Sequence, residues 1–135
     1  MTVVIENFHI DSIPVLEITQ KDAPAHLPLV ILIHGWTGRK EDVLFFAYFL
    51  AVRGYFVVSM DAFGHGDRAR KEDWTIEAFY DLLLQTSEDI NRVIAHYSND
   101  IRVDVNRVGL SGVSMGGVIT YYYLTREDKR ISAAV

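Results

Sequence analysis

Leu29-Val30-Ile31-Leu32-Ile33 is an unbroken apolar run. A strand with one wet face alternates apolar and polar residues, so a run without alternation predicts a strand covered on both sides. Tyr55-Phe56-Val57-Val58-Ser59-Met60 reads the same way, and Val105 to Leu110 reads as a third buried strand. Strands of this kind need helices on both faces of the sheet, and helical patterns do lie between them. One begins with Glu41 and Asp42, acids that suit a helix N-terminus, runs through Val43, Leu44, Phe46, Ala47 and Leu50, and stops at Arg53-Gly54. A longer one spans Thr75 to Tyr97, with Ile76, Phe79, Tyr80, Leu83, Ile90, Val93, Ile94 and Tyr97 recurring near the helical period. A third runs from about Met115 to Thr125, and Ile131 to Val135 reads as a further strand.

Ahead of these units, Val3 to Ile10 and Ile13 to Thr19 flank the turn residues Asp11-Ser12 and predict an antiparallel hairpin. Glu6, Glu17 and Thr19 interrupt its apolar residues, which predicts an edge hairpin with one wet face. Asp81, Glu88 and Asp89 with Arg92 predict a solvated face of the long helix, and Trp74 is expected to open that helix and pack there. Of Tyr121-Tyr122-Tyr123, at least one must face outward while the others pack on the sheet. The expected fold is α/β: a mostly parallel sheet of about six strands, helices on both faces, and an N-terminal antiparallel hairpin. Residues 1–135 are expected to form a single, incomplete domain.

Bulk properties narrow the function. Of the 135 residues, 50% are hydrophobic and 23% charged, as in globular rather than disordered chains. The net charge of -5 and the lack of a basic cluster argue against nucleic acid as a partner. The chain has no cysteine, which excludes disulfides and thiolate metal sites. No apolar stretch approaches the ~18 residues of a membrane span, and Met1 to Asn7 lacks the pattern of a signal peptide. A cytoplasmic location without membrane contact is the expectation. His, Asp and Glu are not clustered at metal-ligand spacing, and Gly112 to Gly117 lacks the lysine of a nucleotide loop. No metal and no cofactor are expected.

Chemistry concentrates where the predicted strands end, the usual place for ligand sites in such sheets. Gly112-Val113-Ser114-Met115-Gly116 follows a strand and precedes a helix, the setting of a nucleophile elbow. The serine must stand in a sharp turn that lifts its hydroxyl clear of the backbone. Gly112 and Gly116 remove side chains that would collide there, and Gly117 lets the helix pack close to the strand. His34-Gly35-Trp36-Thr37-Gly38 ends the first buried strand. The backbone amides of Trp36 and Met115 are the candidate oxyanion donors. His34 is expected to be a hydrogen-bonded structural residue rather than a base.

These two motifs, with Asp61-Ala62-Phe63-Gly64-His65-Gly66 between them in the order expected, resemble the N-terminal half of an α/β-hydrolase. The nearest likeness is to small bacterial carboxylesterases related to dienelactone hydrolases and acyl-peptidases, and it covers nearly the whole chain. The resemblance implies a sheet whose second strand is antiparallel, a catalytic Ser114, oxyanion amides at Trp36 and Met115, supporting roles for His34, Gly35, Gly112 and Gly116, and a small ester or acyl substrate. It assigns Asp61 and His65 to the architecture of the site mouth.

One departure is plain. The family order is serine, then acid, then histidine. After Ser114 the acids are Glu127 and Asp128, and all five histidines (His9, His26, His34, His65 and His96) precede it. The base and acid are therefore expected beyond residue 135, in a longer protein. Self-association through an exposed sheet edge and a non-catalytic module that keeps the pocket are the alternatives. Within the chain itself, only His34 or His65 could serve as the base.

Overall fold

The computed structural model describes residues 1–70, 74–126 and 131–135. Glu127 and Asp128 lie outside the described residues. The elements run β1 (Val3–Ile10), β2 (Ile13–Gln20), β3 (Leu27–Ile33), α1 (Leu44–Ala51), β4 (Phe56–Met60), α2 (Ile76–Tyr97), β5 (Val103–Gly112), α3 (Met115–Arg126) and β6 (Ile131–Ala134), with short 3-10 turns at Lys40–Val43 and Gly66–Arg68. The six strands form one sheet in the order β1-β2-β4-β3-β5-β6. β3 is parallel to β4 and β5, and β5 to β6. β2 is antiparallel to both β1 and β4. This is the α/β arrangement expected, including the N-terminal hairpin and the antiparallel second strand.

Alternation along the strands divides the core. Leu29, Ile31 and Ile33 of β3 and Phe56, Val58 and Met60 of β4 face Ile90, Val93, Ile94 and Tyr97 of α2 and Ile119 and Tyr123 of α3. Leu32 and Val57 turn the other way, with Leu16 and Ile18 of β2, toward Val43, Ala47 and Ala51. Helices thus cover both faces, which is why β3 carries no polar residue and β4 only Ser59. No helix among the described residues is long and apolar enough to cross a membrane.

Several expectations fail for a shared reason: packing between distant parts of the chain overrides local pattern. The hairpin does lie at the sheet edge, but β1 is the edge strand and β2 lies between β1 and β4, so Glu17 is buried rather than wet. Its carboxylate accepts from the Tyr97 hydroxyl at 2.8 Å and pairs with Arg102 at 2.7 Å, as a buried charge requires. Asp89 is buried as well, between Arg68 at 2.7 Å and Arg92 at 3.3 Å, and does not belong to a solvated face. Burial pushes its carboxyl above the usual range against the pull of Arg68. Conversely, Ile76 and Tyr80 are exposed, because the first turns of α2 do not bury the stripe that its later turns bury. Phe46 of α1 is exposed too, since the helix buries its small residues Ala47 and Ala51 instead. Of the three tyrosines, Tyr121 faces out and Tyr123 is buried, its hydroxyl donating to Asn91 at 2.7 Å.

Candidate active site

β5 ends at Gly112 and α3 starts at Met115, so Val113 and Ser114 alone make the connection. Ser114 has φ +52° and is exposed. A left-handed non-glycine residue is uncommon, and its strain persists only where its surroundings enforce it. Here the Val113 amide donates to the Ile33 carbonyl at 3.1 Å, Gly116 to Val113 at 2.8 Å, and Val118 to Ser114 at 3.1 Å. The turn is thereby tied both to β3 and to the first turn of α3.

The two flanking glycines have no room to be anything else. A Cβ on Gly112 would lie 2.0 Å from the Gly116 carbonyl oxygen, and one on Gly116 would lie 2.2 Å from that of Ile33. Each obstacle is backbone of the sheet or of the turn itself. Gly112→Ala is therefore expected to cost about 3 kcal/mol or more, the upper end for overpacking. Denaturant unfolding of variant and parent checks this, and an unchanged midpoint would mean that the turn relaxes freely.

The loop after β3 meets this turn. A Cβ on Gly35 would lie 3.8 Å from the Cβ of Ser114 and 3.5 Å from the Val113 carbonyl, so the backbone next to Trp36 sits against the serine. The loop closes through Gly38 N–H donating to the Gly35 carbonyl at 3.0 Å, with Thr37 at φ +60°. A β-branched residue in that region is a second strained position beside the first. Met115 is the first residue of α3, so its amide has no partner within the helix. Met115 follows Ser114 at the start of α3, and Trp36 follows Gly35 in the loop that meets the serine turn.

His34 is buried with both ring nitrogens engaged. Nε2 accepts from the Ala62 amide at 3.0 Å, and Nδ1 lies 2.7 Å from the Gly35 carbonyl, the tautomer these partners require. Burial, joined by the nearby His65, holds its pKa below the usual value of 6.5, outweighing the hydrogen bond to Gly35. A folded-state pKa below the unfolded one means that the unfolded chain takes up the extra proton first. Stability is then fully present above the unfolded value and declines as pH falls through 6.5 toward the folded value. Thermal midpoints followed from about pH 8 to about pH 5 should fall more steeply in the parent than in His34→Gln, which retains an acceptor but no titration. Parallel curves would remove His34 from the acid response.

His65 is also buried. Its Nδ1 lies 3.1 Å from the Phe63 carbonyl, and its Nε2 has no hydrogen-bond partner among the described residues. The ring stacks among His34, Trp36 and Trp74, with centroids 5.3 to 5.8 Å away. The other histidines lie elsewhere. His26 precedes β3 at the end opposite His34, and His96 in the last turn of α2 packs on Tyr97 and Phe8. His9 is on β1, four strand spacings from β5, roughly 19 Å. Among the described residues no group of His, Asp and Glu is placed to hold a metal ion.

Lys40 carries a role that its sequence context hides. It stands before Glu41 and Asp42, in what reads as an ordinary solvated helix start, yet its side chain is fully buried. Its Nζ lies 3.1 Å from Asp61 Oδ2, 2.8 Å from Asp67 Oδ2 and 3.2 Å from Glu41 Oε1. Its amide donates to Asp61 Oδ1 at 2.8 Å, and its carbonyl accepts from the Ser59 hydroxyl at 2.7 Å. Burial opposes the ammonium charge, but the hydrogen bonds to Asp67, Asp61 and Glu41 prevail and hold its pKa above the ordinary lysine value. Asp61 also accepts from the Asp67 amide at 3.0 Å. One ammonium and one buried carboxylate therefore lock the loops after β3 and β4 together.

An exposed serine on a strained strand-to-helix turn, in a mostly parallel sheet covered on both faces, defines a protein of the α/β-hydrolase superfamily. Residues 24–135 match the family described as serine aminopeptidase, S33, and the chain belongs to that family. It is 38% identical over 129 residues to a Bacillus subtilis protein named as an esterase, YitV, covering 92% of this chain and 50% of that one. It is 33% identical over 122 residues to the Escherichia coli esterase YjfP, covering 84% and 47%. Among solved structures, a Klebsiella pneumoniae protein named as a dienelactone hydrolase superposes with a TM-score of 0.79 at 22% identity, over 99% of this chain and 59% of that one. The chain spans about half the length of the curated relatives it matches.

Proposed function

We propose that Ser114 is the nucleophile of a hydrolase acting on carboxylic esters or related acyl compounds. The observation that carries this reading is Ser114 itself, exposed at φ +52° on a turn walled by backbone and set against the loop after β3. A hydroxyl in that place reaches a substrate without rearrangement of the chain. The serine oxygen attacks the carbonyl carbon, the alcohol or amine leaves with a proton, and water then releases the acid from the acyl-enzyme. The amides of Trp36 and Met115 donate to the oxygen that becomes negative in each tetrahedral intermediate, where one lost donor raises the barrier by roughly 2.7–4 kcal/mol.

The proton must pass to a base within ~2.6–3.2 Å of the serine. His34 has both nitrogens committed, and His65 is buried with its Nδ1 on a carbonyl. The base and the acid that orients it are therefore assigned to chain beyond residue 135, in the part of the relatives' length that this chain does not span. The names of the esterase relatives support an ester substrate. The test is turnover of a short-chain aryl ester by the natural-length protein beside its Ser114→Ala variant.

A further inference from the structure

Beside the oxyanion loop, Trp36, Trp74, Thr75, Ile76 and Phe79 line an open cleft of about 370 Å³. Trp36 belongs to both places: its amide is the proposed oxyanion donor, while its indole forms the near wall of the cleft. We propose that this cleft receives a planar, uncharged apolar group of the substrate attached next to the bond being cleaved. The proposal rests on the serine-hydrolase reading above and extends it to specificity.

Three observations carry it. The first is chemistry: among the described residues none of the lining side chains is charged, and three are aromatic, which suits a ring bound face to face or edge to face. The second is that the walls are held in place by contacts among the described residues while their faces stay exposed. Trp74 Nε1 donates to the Gly64 carbonyl at 3.0 Å, and its ring lies 5.8 Å from that of His65. Trp36 is held between His65 at 5.3 Å and Phe79 at 5.7 Å. Thr75 caps α2 by accepting from the Ala78 amide at 3.1 Å, which fixes where Ile76 and Phe79 begin. Even so, Trp36 is 38% exposed, Trp74 43% and Ile76 91%. Large apolar faces held rigid and left open beside a reactive site are what a preformed ligand pocket presents. The third is position. Gly35, the neighbour of Trp36, touches the serine turn, so Trp36 joins the cleft to the loop that meets the serine. The volume is at the small end for ligand pockets and matches one ring rather than a long chain.

The experiment uses the natural-length protein and two pairs of esters: benzyl against hexyl acetate for the alcohol side, and methyl phenylacetate against methyl heptanoate for the acyl side. In one pair the ring ester is expected to show a kcat/KM about tenfold or more above its linear partner, carried mainly by KM. In Phe79→Ala and in Trp74→Leu that ratio should fall to near one. Thermal midpoints confirm that each variant is folded, and the parent's preference is read without any variant. Equal rates within both pairs in the parent overturn the cleft assignment while leaving Ser114 in place, as does a ratio that survives both substitutions. Turnover of none of the four esters overturns the hydrolase reading, and the cleft assignment with it.

Discussion

Ser114→Ala in the natural-length protein should lower kcat for a short-chain aryl ester by on the order of a thousandfold or more, with KM nearly unchanged. The serine hydroxyl contributes little to binding, since it meets the substrate as a reactant, so its removal acts on the chemical step. The fold should survive the change. Ser114 is exposed, and the bonds that define its turn come from backbone groups of Val113, Ser114, Gly116 and Val118, which alanine retains. Alanine does bear the same φ of +52° with less tolerance than glycine, so the thermal midpoint is measured alongside. An alkyl fluorophosphonate supplies a second readout. It should add once to the parent, at Ser114, and not to the variant. Full turnover in the variant, or equal labelling of both proteins, would assign the nucleophile elsewhere. A parent that neither turns over nor labels would point to a binding module on the same scaffold.

The fold was legible because its strongest signals are local. Leu29 to Ile33 needs only neighbours to read as a strand buried on both faces, and β3 is such a strand. The glycine-serine turn was legible for the same reason, as the spacing of Gly112, Ser114 and Gly116 writes the collision geometry into five residues. What escaped depends on residues distant in sequence. Glu17 is buried because Tyr97 and Arg102, eighty or more positions away, satisfy it. Asp89 is buried because Arg68 reaches it from the loop before α2. Trp74 does precede the long helix, but its indole bonds Gly64 and its ring is left half open, a placement that helix periodicity cannot convey. Lys40 is the sharpest case. Its immediate neighbours, Glu41 and Asp42, are those of a surface helix, while the partners that draw it inside are Asp61 and Asp67 on another loop. The available signal was the aspartate at the end of β4, a charge at a buried strand end that required a partner.

That buried pair leads to the largest expected effect on stability. Lys40→Met preserves length and apolar stem but removes the ammonium, leaving the Asp61 carboxylate fully buried with amide donors and no cation. Removing one partner of a buried ion pair typically costs about 3–5 kcal/mol, because the remaining charge has lost its counterion and cannot return to water. The converse exchange is milder. Lys40→Met combined with Asp61→Asn removes both charges, and its one amide oxygen keeps one of the two backbone donors, that of residue 40 or that of Asp67, so it should recover part of the loss. Asp67→Asn alone should cost much less, since Asp67 is 58% exposed at its side chain and water replaces the lost contact. Urea unfolding of the three variants and the parent checks the order. If Lys40→Met costs no more than Asp67→Asn, the ammonium is not what binds the two loops. If the order holds, the same variant should also lower kcat toward esters. The segment that Lys40 anchors begins at His34 and carries Trp36, whose amide is the proposed oxyanion donor, and such a donor displaced by a fraction of an ångström loses most of its catalytic worth.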